Sequence, residues 1–586
     1  MSQAESAAVY PVSQRPPGVR ELTVRSILVA VLVAAVIGGS YPYIVMKLGF
    51  GPNISVVSAF FGFLILGIAS RTYNRWENNI VQTAGTSAGQ TAFLCVIMAA
   101  FDLLRQDPTA NFTFVLQPYQ AFLWLTTAGV LGVLLSVPMR QHFVVDEKLT
   151  FADGVAAAET LIVLDSKGKE SRAAAGSMAL GGILSAIGFA LREDARLIAA
   201  AWYRIPEMLA IGPTGAKMNV GISWSLLSIG SGMIVGMRVT VSMVLGCVIA
   251  WVMMPPWLLE KGWVANMVRR EMLLWIMWPA TGVLVAGGLM ALVLRWKLLV
   301  KTFRNLSVGS MDSGDFPMRW VIWGSVTSAV ALVGVQAMLG MSPWLTLAAI
   351  IFSIPLMLVG IRVLGETNWG PISTLSNMMQ GIFGVLAPGA LLPNIVSTGV
   401  TGSIASQSEG LMQDYKTGYM IGSTPKYLTY AQLLAVPVGA AAVSFVYPLL
   451  RDTYGIGGEH GLQSPISQRF AGFGIILSKG ISALPTGAVQ ALLIGAGVGV
   501  ILTLLEGTKA KKWVPSPAGL GIGMLVPGSA VISMFVGAVI SETWRMMAPK
   551  QHEQHVTPLA SGFIAGEALV AVLIPILVVI GWVTLK

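Results

Sequence analysis

Residues 48–52 read Leu48-Gly-Phe-Gly-Pro52, and residues 339–343 read Leu339-Gly-Met-Ser-Pro343. Three positions are identical at a spacing of 291 residues (339−48, 340−49 and 343−52). The same spacing returns farther along the chain, where a Ser-Met-x-x-Gly pattern at residues 242–246 recurs at residues 533–537. One spacing that holds at two distant places predicts that the chain is built from two repeats.

The composition outside these motifs is typical of a polytopic membrane protein. Charged residues make up only 11% of the chain, whereas a soluble domain has about 25%. Runs of about 20 apolar residues recur, and each is long enough to cross the hydrocarbon core of a bilayer. The net charge of +10 comes from Lys and Arg in short clusters between these runs. This pattern indicates orientation by the positive-inside rule, and it argues against a nucleic-acid partner.

The apolar runs predict an all-α fold of about sixteen transmembrane helices. An even number of helices in each repeat makes the two repeats parallel, and the basic clusters predict cytoplasmic termini. The predicted organisation is a cytoplasmic tail (1–23), a first eight-helix repeat (24–300), a cytoplasmic linker (301–318) and a second eight-helix repeat (319–586). Gly, Pro and charged residues interrupt three segments, which we expect to be re-entrant or discontinuous helices or, alternatively, amphipathic surface helices: 151–164, 213–221 and 465–484.

Several polar residues lie next to or inside the apolar runs. The segment Glu77-Asn-Asn-Ile-Val-Gln-Thr83 opens one run, and with a two-residue shift in spacing it corresponds to Glu366-Thr-Asn368. These side chains could simply cap helices, because a carboxylate is favourable at a helix N-terminus. Alternatively, two helix starts face a shared cavity suited to the charged ends of a zwitterion. On the second interpretation the predicted substrate-binding residues are Glu77, Asn78, Asn79, Gln82, Glu366 and Asn368.

A second polar cluster occupies residues 402–418, where polar side chains recur four and seven residues apart. That spacing places them on one face of a helix. We expect Gln407, Glu409 and Gln413 to bind substrate, with Gln407 and Glu409 on a broken segment. A solvated loop end is the alternative, and it explains Lys416 best.

Ionisable residues at membrane depth are functional candidates, because charges there are costly unless they are paired or solvated. Glu159, Glu567 and Asp153 are the predicted proton-coupling residues, and pairing with an arginine or a backbone amide is the alternative. An unpaired cation in mid-membrane costs about 3 kcal/mol, so we expect Arg238 to form a structural ion pair unless it lies in a short interfacial loop.

Enzyme motifs are largely missing from the sequence. No Gly-x-x-x-x-Gly-Lys-Ser/Thr segment supports ATP binding, and the four histidines do not have zinc-ligand spacing on a membrane helix. We therefore expect no cofactor and no metal site. A passive solute channel remains an alternative to a transporter, and a membrane-embedded hydrolase is a further one.

The motifs together resemble the oligopeptide transporter superfamily, which includes the yellow-stripe-like metal-chelate carriers. The resemblance runs from about Thr23 to the end of the chain, and it is carried by Glu77-Asn-Asn-Ile-Val-Gln-Thr83, Leu149-Thr-Phe-Ala-Asp-Gly154, Gly365-Glu-Thr-Asn368, Met412-Gln-Asp-Tyr-Lys-Thr-Gly418 and Pro517-Ala-Gly-Leu-Gly-Ile-Gly523. One departure is Asn368-Trp-Gly-Pro371, where the family often has Asn-Pro.

The resemblance implies a secondary active transporter with sixteen spanning helices and cytoplasmic termini. It implies proton-coupled import of small peptides or peptide-like metal chelates by alternating access. The expected partners are this small-molecule substrate, protons and the lipid bilayer, with a homo-oligomer as a further possibility. The compact chain is similar to prokaryotic members, which implies a bacterial inner membrane.

Overall fold

The computed structural model describes most of the chain. The described residues are 18–48, 54–69, 73–108, 110–165, 169–192, 205–206, 208–294, 314–457, 462, 464–479, 485–508 and 513–579. The predicted linker at 301–318 therefore lies largely outside the described residues, as do the basic clusters at 297–304 and 509–512.

Helices dominate the described chain. They are α1 (Val24–Leu48), α2 (Ile54–Ala69), α3 (Arg75–Ala92), α4 (Cys95–Gln106), α5 (Pro118–Ser136), α6 (Ala152–Asp165), α7 (Lys169–Leu191), α8 (Gly212–Met218), α9 (Leu226–Val235), α10 (Met237–Val248), α11 (Met254–Glu260), α12 (Arg269–Leu294), α13 (Met318–Met338), α14 (Pro343–Thr367), α15 (Ile372–Leu386), α16 (Leu391–Ile421), α17 (Pro425–Tyr454), α18 (Pro465–Ser478), α19 (Ala488–Glu506), α20 (Pro517–Leu525), α21 (Gly528–Met547) and α22 (Pro549–Val579). Two π-helical turns occur, at Gln141–Asp146 and Ile249–Met253. The described strands β1 (Met208–Ala210) and β2 (Gly221–Ser223) form an antiparallel pair.

Within the described residues, ten helical stretches are long and apolar enough to cross a membrane. The protein is therefore an integral membrane protein with a helical fold, as the sequence predicted. The total of sixteen spans and the parallel arrangement of the repeats stay predictions.

The interrupted segments form regular secondary structure where they are described. Residues 152–165 form one continuous helix, α6. The segment at 213–221 is the short helix α8 followed by strand β2. Helix α18 covers 465–478 of the third segment, whose residues 480–484 are outside the described part.

The chain divides into two compact units. The first unit comprises Met1–Glu147, Val300–Ile361 and Ile372–Leu484, and the second comprises Lys148–Leu299, Arg362–Pro371 and Pro485–Lys586. Each unit thus takes segments from both predicted repeats. The polar segment that contains Glu366 and Asn368 belongs to the second unit.

In the second unit, residues 291 positions apart make equivalent hydrogen bonds. The hydroxyl of Ser242 accepts from the backbone N–H of Ser516 at 2.9 Å. The hydroxyl of Ser533, 291 residues after Ser242, accepts from the backbone N–H of Ser223 at 3.0 Å. Each serine therefore supplies an acceptor to the chain that precedes a short helix, α20 or α9.

Glycines with the same spacing allow close contact between helices of the second unit. A Cβ atom on Gly232 would lie 1.9 Å from the carbonyl oxygen of Met534, and one on Gly523 would lie 2.1 Å from that of Met243. Both distances are too short for any side chain. Small residues at these positions let the backbones touch, as is common in membrane helices.

Helix α19 packs against α12, and two glycines of α19 allow a test of this close packing. A Cβ atom on Gly495 would lie 2.2 Å from the carbonyl oxygen of Pro279, whereas one on Gly497 would meet nothing within 4 Å. We expect Gly495→Ala to destabilise the protein by about 1–3 kcal/mol, because overpacking moves the backbone. Gly497→Ala is the matched control and should be neutral or stabilising by about 0.5–1 kcal/mol.

The measurement is thermal unfolding of the detergent-solubilised protein. Unfolding is monitored by labelling the thiols of Cys95 and Cys247. Both cysteines are free and buried, so their labelling reports unfolding. Equal unfolding temperatures for the two variants would contradict the close contact at Gly495.

Candidate functional site

Helices α3 and α16 of the first unit are buried on all sides although they are rich in polar residues. Every residue from 394 to 418 in α16 and from 76 to 89 in α3 is buried. Glycine makes this packing possible: a Cβ atom on Gly399 would lie 2.3 Å from the ring of Trp124. A helix buried all round normally has an apolar surface. The polar residues of α3 and α16 therefore must bond to one another or to something that enters the unit.

Gln407 of α16 joins the two helices. Its Nε2 donates to the carbonyl oxygen of Ser87 at 3.0 Å and to the hydroxyl of Thr91 at 2.7 Å. Its Oε1 accepts from the hydroxyl of Ser87 at 3.0 Å. All strong hydrogen-bonding groups of this amide are thus used within the protein.

Asp414 of α16 is a fully buried acid held by two amides. Gln82 of α3 donates to one carboxylate oxygen at 2.6 Å, and Gln432 of α17 donates to the other at 3.0 Å. The amide oxygens of Gln82 and Gln432 are themselves buried and have no partner among the described residues. Asp414 was not among the predicted site residues. The signal was its position seven residues after Gln407, which places both on one face of α16.

Glu77 lies in the first turn of α3 and is fully engaged. It forms an ion pair with Arg25, and it accepts from the hydroxyl of Thr23 at 2.5 Å and from Nδ2 of Asn74 at 3.0 Å. The N-cap of α3 is Asn74, whose side chain accepts from the backbone N–H of Glu77 at 2.8 Å. The capping role weighed for Glu77 and Asn78 thus belongs to Asn74.

The two asparagines that follow Glu77 each have one unsatisfied oxygen. Nδ2 of Asn78 donates to the carbonyl oxygen of Ala59 at 2.8 Å and to the hydroxyl of Tyr73 at 2.9 Å. Nδ2 of Asn79 donates to the hydroxyl of Ser423 at 2.7 Å. The Oδ1 atoms of both residues are buried and have no partner among the described residues. Such oxygens are unusual in a folded protein and are suited to accept from water or from a bound molecule.

Gln407 and Glu409 lie on an unbroken helix, so the prediction of a broken segment for them is wrong. α16 runs without interruption from Leu391 to Ile421, because its glycines let it fit between neighbours while its backbone bonds stay intact. Glu409 is 3% exposed, and its Oε1 has no partner among the described residues. Gln413 and Lys416 are also buried, so a solvated loop end does not explain Lys416.

Glu366 lies in the last turn of α14, so the prediction of a helix start at this position is wrong. The helix continues to Thr367, and Glu366 pairs with Arg362 one turn earlier at 2.9 Å, a spacing that stabilises helices. The hydroxyl of Ser516 donates to the same carboxylate at 2.9 Å. Ser516 is also the N-cap of α20.

Asn368 ends α14 and holds the start of α6. Its backbone is left-handed, with φ at +61°, a conformation that asparagine tolerates at helix ends. Its Oδ1 accepts from the backbone N–H of Asp153 at 2.9 Å, and its Nδ2 donates to the carboxylate of Asp153 at 2.7 Å. This reciprocal pair lies entirely within the second unit.

Glu567 of α22 sits at the N-terminus of α9. It pairs with Arg192 at 2.6 Å, and both side chains are less than a tenth exposed. It also accepts from the hydroxyl of Ser225, at 2.9 Å and 3.0 Å for its two oxygens, and from the backbone N–H of Leu227 at 3.0 Å. The location is favourable for a carboxylate, because the helix N-terminus carries a partial positive charge.

The remaining two predicted residues differ in their surroundings. Arg238, in the first turn of α10, pairs with Glu506 at 2.6 Å. Glu159, in the middle of α6, is partly exposed.

A second internal correspondence is present in the first unit, and sequence reasoning did not find it. The pattern Asn79-Ile-Val-x-Thr83 of α3 recurs as Asn394-Ile-Val-x-Thr398 of α16, 315 residues later (394−79). Thr86 and Thr401 have the same spacing, and they contact the hydroxyls of Ser55 at 3.1 Å and Ser353 at 2.8 Å. By this correspondence the counterpart of α3 is α16 rather than the segment at Glu366.

Comparison of the whole chain with known proteins identifies a family. The family model described as OPT oligopeptide transporter protein matches residues 21–578. The probable metal-nicotianamine transporter YSL6 of Oryza sativa subsp. japonica is 23% identical over 634 residues, which cover 95% of this chain and 91% of the relative. The putative oligopeptide transporter YGL114W of Saccharomyces cerevisiae is 22% identical, with 95% of this chain and 96% of the relative covered.

A third relative is the metal-nicotianamine transporter YSL2 of Arabidopsis thaliana, which is 22% identical over 94% of this chain and 93% of its own length. The three alignments and the family model all extend over nearly the entire sequence, so they include both units. The chain therefore belongs to the OPT oligopeptide transporter family, which confirms the resemblance seen in its motifs.

Proposed function

We propose that the protein is a secondary active transporter that imports small peptides or peptide-like metal chelates together with protons. The names of its relatives supply the two substrate classes. Membership in a transporter family argues against the hydrolase alternative. We place the protein in a bacterial inner membrane with cytoplasmic termini and with alternating access between two repeats.

The observation that carries this proposal is the polar interior formed by α3 and α16. Buried oxygens of Asn78, Asn79, Gln82 and Glu409 have no partner among the described residues. Leaving buried polar groups unsatisfied costs free energy. A protein in which several such oxygens lie on two adjacent helices of a membrane unit is therefore suited to admit a polar solute.

In the first unit, the predicted substrate-binding residues keep this role in the proposal, with three changes. Gln407 has all its hydrogen-bonding groups engaged, so we assign it to holding α3 against α16. Glu409 is moved to proton coupling, because its buried carboxyl has an oxygen with no partner among the described residues. Asp414 joins the substrate-binding group through the free amide oxygens of its partners Gln82 and Gln432.

Proton coupling requires a carboxyl group that no fixed partner holds ionised. Asp153 is bound by Asn368 and Glu567 by Arg192, which favours structural roles for both. No hydrogen bond or ion pair to the described residues engages Glu159. We therefore assign coupling to Glu159 and Glu409.

Reconstitution in liposomes tests the proposed function. The vesicles contain a pH-sensitive dye and are exposed to di- to tetrapeptides or to metal-nicotianamine. We expect internal acidification that depends on one of these solute classes and saturates with its concentration. Flux that ignores an imposed pH gradient and does not saturate would instead indicate a passive channel.

Neutralising Glu77 in the first unit, or Glu366 in the second, tests whether each acid is needed for transport. Glu77→Gln and Glu366→Gln are each expected to lower uptake more than tenfold, because each change removes the carboxylate with which Arg25 or Arg362 pairs. Uptake is measured per amount of protein in the membrane.

The matched control is Glu542→Gln. Glu542 pairs with Arg545 at an exposed position, so its neutralisation should leave uptake within about twofold, as expected for a surface ion pair of small energy. Normal transport by both the Glu77 and the Glu366 variants would show that the site assignment is wrong.

A further inference from the structure

We propose that a cavity in the first unit binds the carboxylate end of the transported molecule through Arg140; this inference rests on the proposed function. The cavity has a volume of about 180 Å³. None of the residues that the sequence predicted to bind substrate lines it, so Arg140 is an addition to that set.

The cavity lies where α16 ends and α17 begins. Tyr415, Gly418 and Tyr419 line it from the last turns of α16, and Gly422 and Ser423 line it from the connecting turn. Gly422 ends α16 in a left-handed conformation, with φ at +78°. Glycine adopts this conformation without strain, so the chain turns away sharply and leaves space between the two helices.

Arg140 supplies the positive charge of the cavity. Its Nη2 donates to the carboxylate of Asp315 at 2.6 Å, and its side chain is 13% exposed. One contact leaves other N–H groups of the guanidinium for a ligand, since arginine has several donors in a planar fork. A guanidinium binds a carboxylate through two parallel hydrogen bonds, which gives both strength and orientation.

Aromatic rings shape the cavity around this charge. The guanidinium carbon of Arg140 lies 6.0 Å from the centroid of the Tyr415 ring. The hydroxyl of Tyr415 is within 2.6 Å of the hydroxyl of Thr429, which fixes the ring. The face of an aromatic ring attracts a cation, so the fixed ring of Tyr415 helps to hold the guanidinium of Arg140 at the cavity.

Ser423 connects the cavity to the predicted substrate-binding residues. Its hydroxyl accepts from Nδ2 of Asn79 at 2.7 Å, and the Oδ1 of Asn79 is one of the buried oxygens that no described residue contacts through a hydrogen bond. A peptide-like molecule has an ammonium or amide donor at some distance from its carboxylate. Arg140 and Asn79 thus provide a cation for one end of such a molecule and an acceptor for a donor farther along it.

The test measures binding to the purified protein in detergent. The probes are trialanine, its C-terminal amide, and metal-nicotianamine. We expect wild-type protein to bind trialanine at least tenfold more tightly than the amide, or to bind metal-nicotianamine. Arg140→Gln should weaken binding of the acidic probe at least tenfold and remove the preference for acid over amide, and Arg140→Lys should restore part of the affinity.

Arg319→Gln is the matched control, because Arg319 is an exposed arginine of the same unit and does not line the cavity. It should bind like the wild type. Retention of affinity and of the acid preference by Arg140→Gln would overturn the assignment of Arg140 while leaving the proposed function intact. If wild-type protein binds none of the probes, the proposed substrate classes fail, and the assignment of Arg140 fails with them. Thermal unfolding of each variant separates loss of binding from loss of folding.

Discussion

The variant Glu409→Gln is expected to abolish proton-driven accumulation of substrate while exchange of substrate between the two sides of the membrane continues. Glu409 is almost completely buried, and its side chain is packed so closely against Gly360 of α14 that a Cβ atom there would lie 2.6 Å from the carboxyl oxygen. An ionised carboxylate without a partner in such surroundings is strongly disfavoured. We therefore expect Glu409 to hold a proton while it is buried and to release the proton when a conformational change admits water to it. Glutamine has the same shape but cannot carry the proton.

Two measurements in liposomes distinguish the outcomes for Glu409→Gln. Accumulation driven by an imposed pH gradient should fall more than tenfold, whereas exchange of labelled for unlabelled substrate should stay within about threefold of wild type. Glu260→Gln changes the charge of an exposed residue of α11 and serves as the control. Loss of exchange in a correctly folded Glu409→Gln protein would return Glu409 to substrate binding. Normal accumulation, together with its loss in Glu159→Gln, would assign the coupling to Glu159 alone.

The variant Glu567→Ala is expected to destabilise the protein by about 3–5 kcal/mol, because removing one partner of a buried ion pair leaves an uncompensated charge. Here the change removes the carboxylate that pairs with Arg192, whose side chain is 5% exposed. The change also removes the acceptor that Ser225 and the backbone of Leu227 use at the start of α9. We expect less protein in the membrane and a lower unfolding temperature, measured by thiol labelling of the buried cysteines.

A double variant separates the structural role of Glu567 from a role in coupling. Arg192→Met combined with Glu567→Leu replaces both charges with apolar groups, and such replacements of a buried ion pair are often neutral or stabilising. We expect it to recover most of the stability lost in Glu567→Ala. If Glu567→Gln instead unfolds like the wild type and loses only proton coupling, then the role predicted from the sequence is right and the structural role is wrong.

The position of Glu366 shows where sequence reasoning reached its limit. The sequence comparison matched Glu77 with Glu366 and placed both at helix starts. The structure confirms the helix start for Glu77 but puts Glu366 at the end of α14. A match of three polar residues does not show whether a helix begins or ends at them. That depends on how far the preceding apolar run continues and on the pairing of Glu366 with Arg362.

Contacts between residues far apart in sequence explain most of the remaining differences. Asp414 was recognisable as a polar residue of its helix face, but its amide partners Gln82 and Gln432 come from two other helices. Glu567 and Glu159 look equally isolated within their apolar segments, and only the packing of the second unit brings Arg192 to one of them. Pairing of this kind depends on contacts of 2.6–3.0 Å between residues far apart in sequence, which no local pattern encodes.

Composition and hydrophobic runs alone determined that this chain is a helical membrane protein, and its motifs alone determined the family. Both can be read locally: about 20 apolar residues are needed to cross a bilayer, and each motif is a short, continuous stretch of the chain. Only the tertiary structure decided which acids pair with arginine and which accept hydrogen bonds from amides. It also decided which acids keep an oxygen with no partner among the described residues. The physical reason is that the energy of a buried charge depends on its neighbours in space, and the helices α3, α16 and α17 become neighbours only on folding.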